Sequence, residues 1–302
     1  MTELNLGDVA TEGFLEASSN LDQMTALEIV QLMNAEEEKV RRALESAAEA
    51  VAVVVDKVAE SFLKGARLFY IGAGTSGRLG LLDASECPPT FGSPPEQVQG
   101  ILAGGLQAFE RAVEQAEDRP EDGARELRRR GLTEHDCVVG ISASGRTPFV
   151  LGGLEEARRT GAFTAGIFCN PDAPMRAACD QAVFLPTGPE VVTGSTRLKA
   201  GTATKLVLNQ ITTGAMIRSG RVLGNLMVSL TPTCEKLVDR SIRIVSKAVE
   251  CSREQAAELL EKSDGSVPVA ILLGKTELSA EEARTSLETE PLNQLLQRLA
   301  KA

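Results

Sequence analysis

The sequence predicts an α/β protein: a five-stranded parallel sheet sandwiched by helices, with helices before it and a small helical module after it. Three observations carry this prediction. Short apolar runs at 67–71, 98–102, 136–142, 163–169 and 181–185 alternate with helical patterns, and such alternation builds a parallel sheet covered on both faces. The stretch from Asn34 to about Gly65 carries apolar side chains three or four positions apart, the period of an amphipathic helix. Beyond residue 235 the pattern is helical, with capping signals. The expected division is 1–65 for an arm and N-terminal helices, 66–235 for the sheet domain, and 236–302 for the helical module.

Taken in order, the first twenty residues lack periodicity and read as an arm. Thr25-Ala26-Leu27-Glu28 is a capping box that opens a short helix. The long helix that follows Asn34 presents Val40, Leu44, Ala47, Val51, Val54, Val58 and Phe62 on its apolar side. The charged cluster Glu36 to Lys39 reads as its solvated face. Such a helical pair packs on a domain or on a second subunit. Within the alternating region a charged segment at 120–130 joins two helical stretches, and Gly201 to Arg218 reads as a further helix. Near the C-terminus, Ser252-Arg253-Glu254-Gln255 and Ser279-Ala280-Glu281-Glu282 are capping boxes on either side of the apolar run Val267 to Leu273. That arrangement predicts a three-helix module for packing or dimer support.

Composition excludes several classes. The 302 residues are 43 % hydrophobic, enough for a sizeable core, and the net charge of -10 argues against nucleic acid as a partner. No apolar run approaches the ~20 residues of a membrane span. The acidic, polar start MTELNLGDVATEGF is unlike a secretory signal. Cysteines stand singly at 87, 137, 169, 179, 234 and 251, a usage that fits a reduced, cytoplasmic setting. His135 is the only histidine and lies in the polar run Thr133 to Asp136, where it reads as a solvated loop residue. A Ser/His/Asp or Cys/His nucleophile and a histidine metal site are therefore not expected, and neither a metal nor a cofactor is implied. Acid–base work falls to carboxylates, lysine or Tyr70, the only tyrosine.

Three loops carry the chemistry. The apolar run Leu68 to Ile71 leads into glycines at 72, 74 and 77, with Thr75 and Ser76 among them, and then into a helical stretch. A strand, a glycine turn and a helix N-terminus form an anion site, because unpaired N–H groups and the helix dipole face the bound group. The pattern matches the dinucleotide fingerprint G-x-G-x-x-G, but the next strand ends in Ala103-Gly104-Gly105 and lacks the ribose-binding carboxylate. The two hydroxyls suit a compact phosphate monoester instead. The second loop is Ser142-Ala143-Ser144-Gly145-Arg146-Thr147-Pro148. Ser142, Ser144 and Thr147 offer three hydroxyls where a helix cap needs one, which favours anion binding. Arg146 either pairs with the phosphate or faces solvent. The third loop runs from Gly188 to Thr202 and contains Glu190, Arg197, Lys199 and several hydroxyls. It reads as a turn placed near the other two.

The blocks GAGTSGRLGLLDASECPPTFG, AVEQAED, SASGRTP and GPEVVTGSTRLKAGTATK, in this order, resemble the N-acetylmuramic acid 6-phosphate etherases. That family is built on the sugar isomerase domain and is related to glucokinase regulatory proteins. The resemblance covers roughly residues 21 to 231. It departs at Gly13-Phe14, where the family usually has an Arg-Asn pair, and this leaves the arm's part in the site open.

The resemblance implies cleavage of the D-lactyl ether of N-acetylmuramic acid 6-phosphate by elimination and hydration, in cell-wall amino sugar recycling. It implies Glu86 as the acid for the departing lactate oxygen and Glu117 as the base at C2. Thr75, Ser76, Ser142, Ser144, Thr147 and Glu190 are the expected substrate contacts. Pro88 and Phe91 are placed to desolvate Glu86. The alternatives are a non-catalytic sugar-phosphate sensor and an aldose–ketose isomerase. One unbroken helix from Ser76 to Glu86 would separate them by ~15 Å at 1.5 Å per residue. Either that helix bends early, or Glu86 serves the phosphate loop of a partner subunit. Sites shared between subunits are typical of the resembled family, so the resemblance implies a homodimer with a shared site.

Overall fold

The computed structural model describes residues 10–111, 113–230 and 235–300. The first nine residues of the expected arm and Cys234 lie outside the described residues. The Thr25 hydroxyl accepts from the Glu28 N–H at 3.4 Å, and the Glu28 carboxylate accepts from the Thr25 N–H at 2.7 Å, so the capping box opens helix α1 (Ala26–Glu36) as expected. Asn34 lies inside α1 rather than before the long helix, α2 (Glu38–Leu63), which begins after a break at Glu37. Val40, Ala47, Val51, Val54, Val58 and Phe62 are buried along α2, joined by Ala43, while Leu44 is half-buried. One expectation fails here. Glu36 is not on a solvated face: it is 9 % exposed and bonded to Lys39 and to Lys199, a lysine far along the chain.

The sheet has the order β2-β1-β3-β4-β5, every neighbouring pair parallel. Its strands are β1 (Leu68–Gly72), β2 (Val98–Leu102), β3 (Cys137–Ile141), β4 (Phe163–Phe168) and β5 (Gln181–Phe184). They fall within a residue of the predicted positions, because each is a short, mainly apolar run; β1, β3 and β4 are wholly or almost wholly buried, while the edge strand β5 buries only Val183. The helices between them are α3 (Gly74–Phe91), α4 (Gln107–Glu110), α5 (Pro120–Arg129), α6 (Pro148–Thr160), α7 (Met175–Ala178) and, after β5, α8 (Lys199–Arg218). Alternation along β1 divides the core. Phe69 and Ile71 pack with Leu127 of α5 and Phe149, Val150 and Leu154 of α6. Tyr70 faces the other way, towards α3 and α8, and its hydroxyl donates to the Leu208 carbonyl at 3.4 Å.

Contacts divide the chain into two compact units. One comprises the residues up to Ser85 with Glu96–Gly214; the other comprises Glu86–Pro95 with the residues from Ala215 onward. The N-terminal helices thus group with the sheet. The second unit holds α9 (Glu235–Val249), α10 (Arg253–Lys262), α11 (Val267–Lys275), α12 (Ala280–Thr289) and α13 (Leu292–Leu299). Ser252 and Ser279 cap α10 and α12 with the expected capping boxes. Five helices replace the three expected. The apolar run at 267–273 is itself the central helix, buried at Val267, Val269, Ala270, Ile271 and Leu272 against Val245, Ala256, Ala283 and Leu295 of its neighbours. No helix among the described residues is long and apolar enough to cross a membrane.

Candidate active site

The order of the strands reverses between β1 and β3, and in open parallel sheets ligands bind beyond the carboxyl ends of strands at that point. Gly72 pairs with Ile141, so the loops after β1 and β3 leave the sheet side by side. On the first, α3 begins at Gly74, which puts Thr75 and Ser76 in its opening turn, both half-buried. Gly77 makes this possible. A Cβ there would lie 2.5 Å from the Gly72 carbonyl oxygen and 2.5 Å from Leu102 Cδ1, so only glycine lets the helix press against the sheet edge. That turn therefore carries orphan N–H groups, the positive end of the helix dipole and two hydroxyl residues.

The second loop is organised by its own hydroxyls. Ser142 Oγ lies 2.9 Å from Thr147 Oγ1 and 3.3 Å from Ser144 Oγ. The Gly145 N–H donates to Ser142 Oγ at 3.1 Å, in a turn that needs φ +66° at Gly145. Thr147 precedes α6 but makes no side-chain cap, so plain helix capping does not account for the cluster. The β4 turn braces the loop: the Cys169 N–H donates to the Ala143 carbonyl at 2.8 Å, and the Met175 N–H to that of Gly145 at 3.1 Å. Arg146 is half-buried and donates through Nη2 to the Asp172 carbonyl at 3.3 Å, while its Nε is buried without a partner. It therefore stands in neither of the two expected settings alone.

The third loop reaches the first. A Cβ on Gly201 would lie 3.7 Å from Thr75 Cγ2, which sets the start of α8 beside the opening turn of α3. Glu190 is 1 % exposed, and its two oxygens accept from the N–H groups of Lys199 (3.1 Å) and Ala200 (2.9 Å). It holds the N-terminus of α8, and the remaining lone pairs are what it has for a ligand. Lys199 Nζ donates to Glu36 at 2.8 Å and to the Pro189 carbonyl at 2.6 Å. Burial pushes the Glu36 carboxyl up, but bonds and charge from Lys199 and Lys39 outweigh it and hold it below the usual range.

Glu117 lies on a short turn, Ala116–Asp118, and is exposed, with Glu114 and Asp118 also exposed. Its neighbour Ala116 packs against the core cluster that holds Phe69, Ile71, Phe149 and Leu154, so this turn is anchored to the face of the sheet that α6 covers. Glu86 lies in α3 within the second unit and is exposed; Phe91 is buried and Pro88 half-buried, so these neighbours do not enclose the carboxylate as expected. The α3 helix is continuous from Gly74 to Phe91, with its prolines, Pro88 and Pro89, beyond Glu86. No residue between Ser76 and Glu86 leaves the helix. His135 is exposed, with a side chain 62 % open to solvent.

A protein of Photorhabdus laumondii subsp. laumondii named N-acetylmuramic acid 6-phosphate etherase is 51 % identical over 286 residues, covering 95 % of this chain and 95 % of that one. A protein of Pasteurella multocida with the same name is 51 % identical over 279 residues, covering 92 % and 93 %. The chain belongs to the N-acetylmuramic acid 6-phosphate etherase family. The model of the glucokinase regulatory protein N-terminal SIS domain also matches, over residues 50–158. A solved phosphoheptose isomerase from Francisella tularensis aligns with a TM-score of 0.51 at 18 % identity, over 64 % of this chain and all (100 %) of that one, a likeness of fold.

In this etherase-family chain, two features of the site escaped sequence reasoning. Glu36 and Lys199 are 163 residues apart, and nothing local signals their pairing. Asn170, in the β4 turn, is 1 % exposed with a partnerless Oδ1, and only the three-dimensional position of that turn beside Gly145 draws attention to it. Among the described residues no group of three or more His, Cys, Asp or Glu is placed to hold a metal ion.

Proposed function

We propose that this chain cleaves the lactyl ether of N-acetylmuramic acid 6-phosphate, giving N-acetylglucosamine 6-phosphate and D-lactate. The observation that carries this is 51 % identity to a named etherase along 95 % of both chains. The site chemistry agrees with it: two hydroxyl-rich loops flank the β1/β3 switch point, suited to a sugar phosphate. In the open sugar the C1 aldehyde acidifies the C2 proton. Glu117 takes that proton as base, Glu86 protonates the ether oxygen, and the C3–O bond breaks to release lactate. Water then adds at C3 and a proton returns to C2, so the net change is hydrolysis. Thr75, Ser76, Ser142, Ser144 and Thr147 hold the phosphate, and Glu190 orders the loop beside them.

The active form in this reading is a homodimer. Glu86 lies ten helical steps after Ser76 on one continuous helix, ~15 Å at 1.5 Å per residue. Glu86 then completes the phosphate site of the partner subunit. The test is D-lactate release by the wild type and by Glu86→Gln and Glu117→Gln. Each variant is expected to fold normally and to lose about 10²-fold or more in kcat, the usual worth of a positioned acid or base. A folded wild type that binds the sugar phosphate and releases no lactate overturns the etherase reading in favour of a sensor.

A further inference from the structure

We propose that Lys199 is a positioning residue that ties the N-terminal segment to the 188–198 loop and thereby holds that loop against the phosphate end of the site. The inference rests on the etherase reading for its kinetic arm. The loop carries no helix or strand of its own, so its position depends on what grips it. Three contacts tie it to the N-terminal segment, the first of them through Lys199 of α8. The Lys199 side chain is 3 % exposed; its Nζ donates to Glu36 at 2.8 Å and to the Pro189 carbonyl at 2.6 Å, and lies 3.6 Å from Glu190. Gly13 sits so close to the loop that a Cβ there would meet Pro189 Cγ at 3.1 Å. Gly194, at the middle of the loop, sits beneath the Glu12 carboxylate, which would lie 2.9 Å from a Cβ at that position.

The grip leads on to the ligand. Lys199 also offers its backbone N–H to Glu190, and the Ala200 N–H does the same, so the lysine, the carboxylate and the first turn of α8 form one piece. The next residue, Gly201, abuts Thr75 in the phosphate-binding turn. Residues 12, 13 and 36 thus fix a loop that borders the site. This gives the arm a role despite Gly13-Phe14 standing where the family usually has Arg-Asn.

A lysine between two buried carboxylates also has a purely electrostatic use, and the test separates the two. Glu36, Lys199 and Glu190 together carry one negative charge. The double variant Glu36→Gln/Lys199→Met leaves Glu190 alone with the same net charge, so the charge balance survives and the tie does not. Positioning predicts a folded double variant whose KM for the sugar phosphate rises about tenfold or more while kcat stays within about threefold. It also predicts faster hydrogen exchange at 188–198. Glu36→Ala, which keeps Lys199 beside Glu190, is expected to raise KM in the same direction and covers the case in which the double variant does not fold. Wild-type KM in a folded double variant, or in Glu36→Ala, overturns the proposal. If the wild type releases no lactate, the etherase reading fails separately. Exchange then decides the tie: unchanged protection at 188–198 in the variants removes it, and accelerated exchange retains it.

Discussion

Asp83 is a buried carboxylate of α3, 6 % exposed, accepting from Asn209 Nδ2 at 2.7 Å and Thr212 Oγ1 at 3.3 Å. Burial pushes its carboxyl up, more than bonds from Asn209, Thr212 and Tyr70 and the charge of Lys205 bring it down. A folded-state value above the unfolded one means that the native protein holds this proton more tightly. The stability it contributes is complete below the ordinary carboxylate range and is lost as pH rises through the raised value. Asp83→Asn removes that loss, so the melting temperature of the variant relative to wild type is expected to increase from pH 4 to pH 8; a difference that does not change with pH sinks the assignment. Asp136 behaves oppositely. It is 1 % exposed and pairs with Arg67 at 2.7 Å; burial raises its carboxyl, but bonds from Arg67 and Thr133 prevail and lower it. Its contribution is present above the ordinary carboxylate range and fades as pH falls through the lowered value. Asp136→Ala strands a partly covered guanidinium and is expected to cost about 3 kcal/mol at pH 7, measured by urea unfolding. At this scale the sequence made visible what is local, such as the hydroxyls of 75–76 and 142–147. It hid Glu36, whose burial depends on a lysine that only the fold brings near.

Elements were legible where one short stretch decides them. The five strands follow from buried apolar runs, and three capping boxes follow from a hydroxyl and an acid or amide three residues apart. The break between α1 and α2 was read three residues early, at Asn34 rather than Glu37, because the helical period continues across both. The helix count of the C-terminal unit was not legible, because the charged α9 and the α13 stretch LNQLLQRL bury only one side. Gly77 is the element-level constraint with most consequence for the site. Gly77→Ala drives a methyl to 2.5 Å from a backbone oxygen of β1 and from Leu102 of β2, so α3 must lift. The expected cost is about 2–3 kcal/mol in unfolding free energy, from overpacking. The phosphate turn moves with the helix, so KM is expected to rise further than kcat falls. A variant with wild-type stability and KM removes the close approach from the account of the site.

For the whole molecule, the question is how two exposed carboxylates assigned to one reaction come together. Sequence reasoning placed Glu86 and Glu117 in one domain; the described chain puts them in different compact units. The sequence could not show this, because Glu86 follows the phosphate turn on the same uninterrupted helix. The shared site proposed above makes a quantitative prediction. Glu86→Gln and Glu117→Gln homodimers should each be inactive. If each site draws Glu117 from one subunit and Glu86 from the other, a mixed dimer of the two variants contains one intact site and one doubly defective site. Free exchange of equal amounts makes half of the dimers mixed, each with half the sites, so activity should return to about a quarter of wild type in a symmetric two-site dimer. Dilution below the dimer dissociation constant should then abolish wild-type activity in step with dissociation, followed by light scattering. If both carboxylates of a site come from one chain, no mixture regains activity, since every chain lacks one of the two. An inactive mixture of subunits shown to have exchanged would therefore reject the shared site while leaving the assignment of the two glutamates intact.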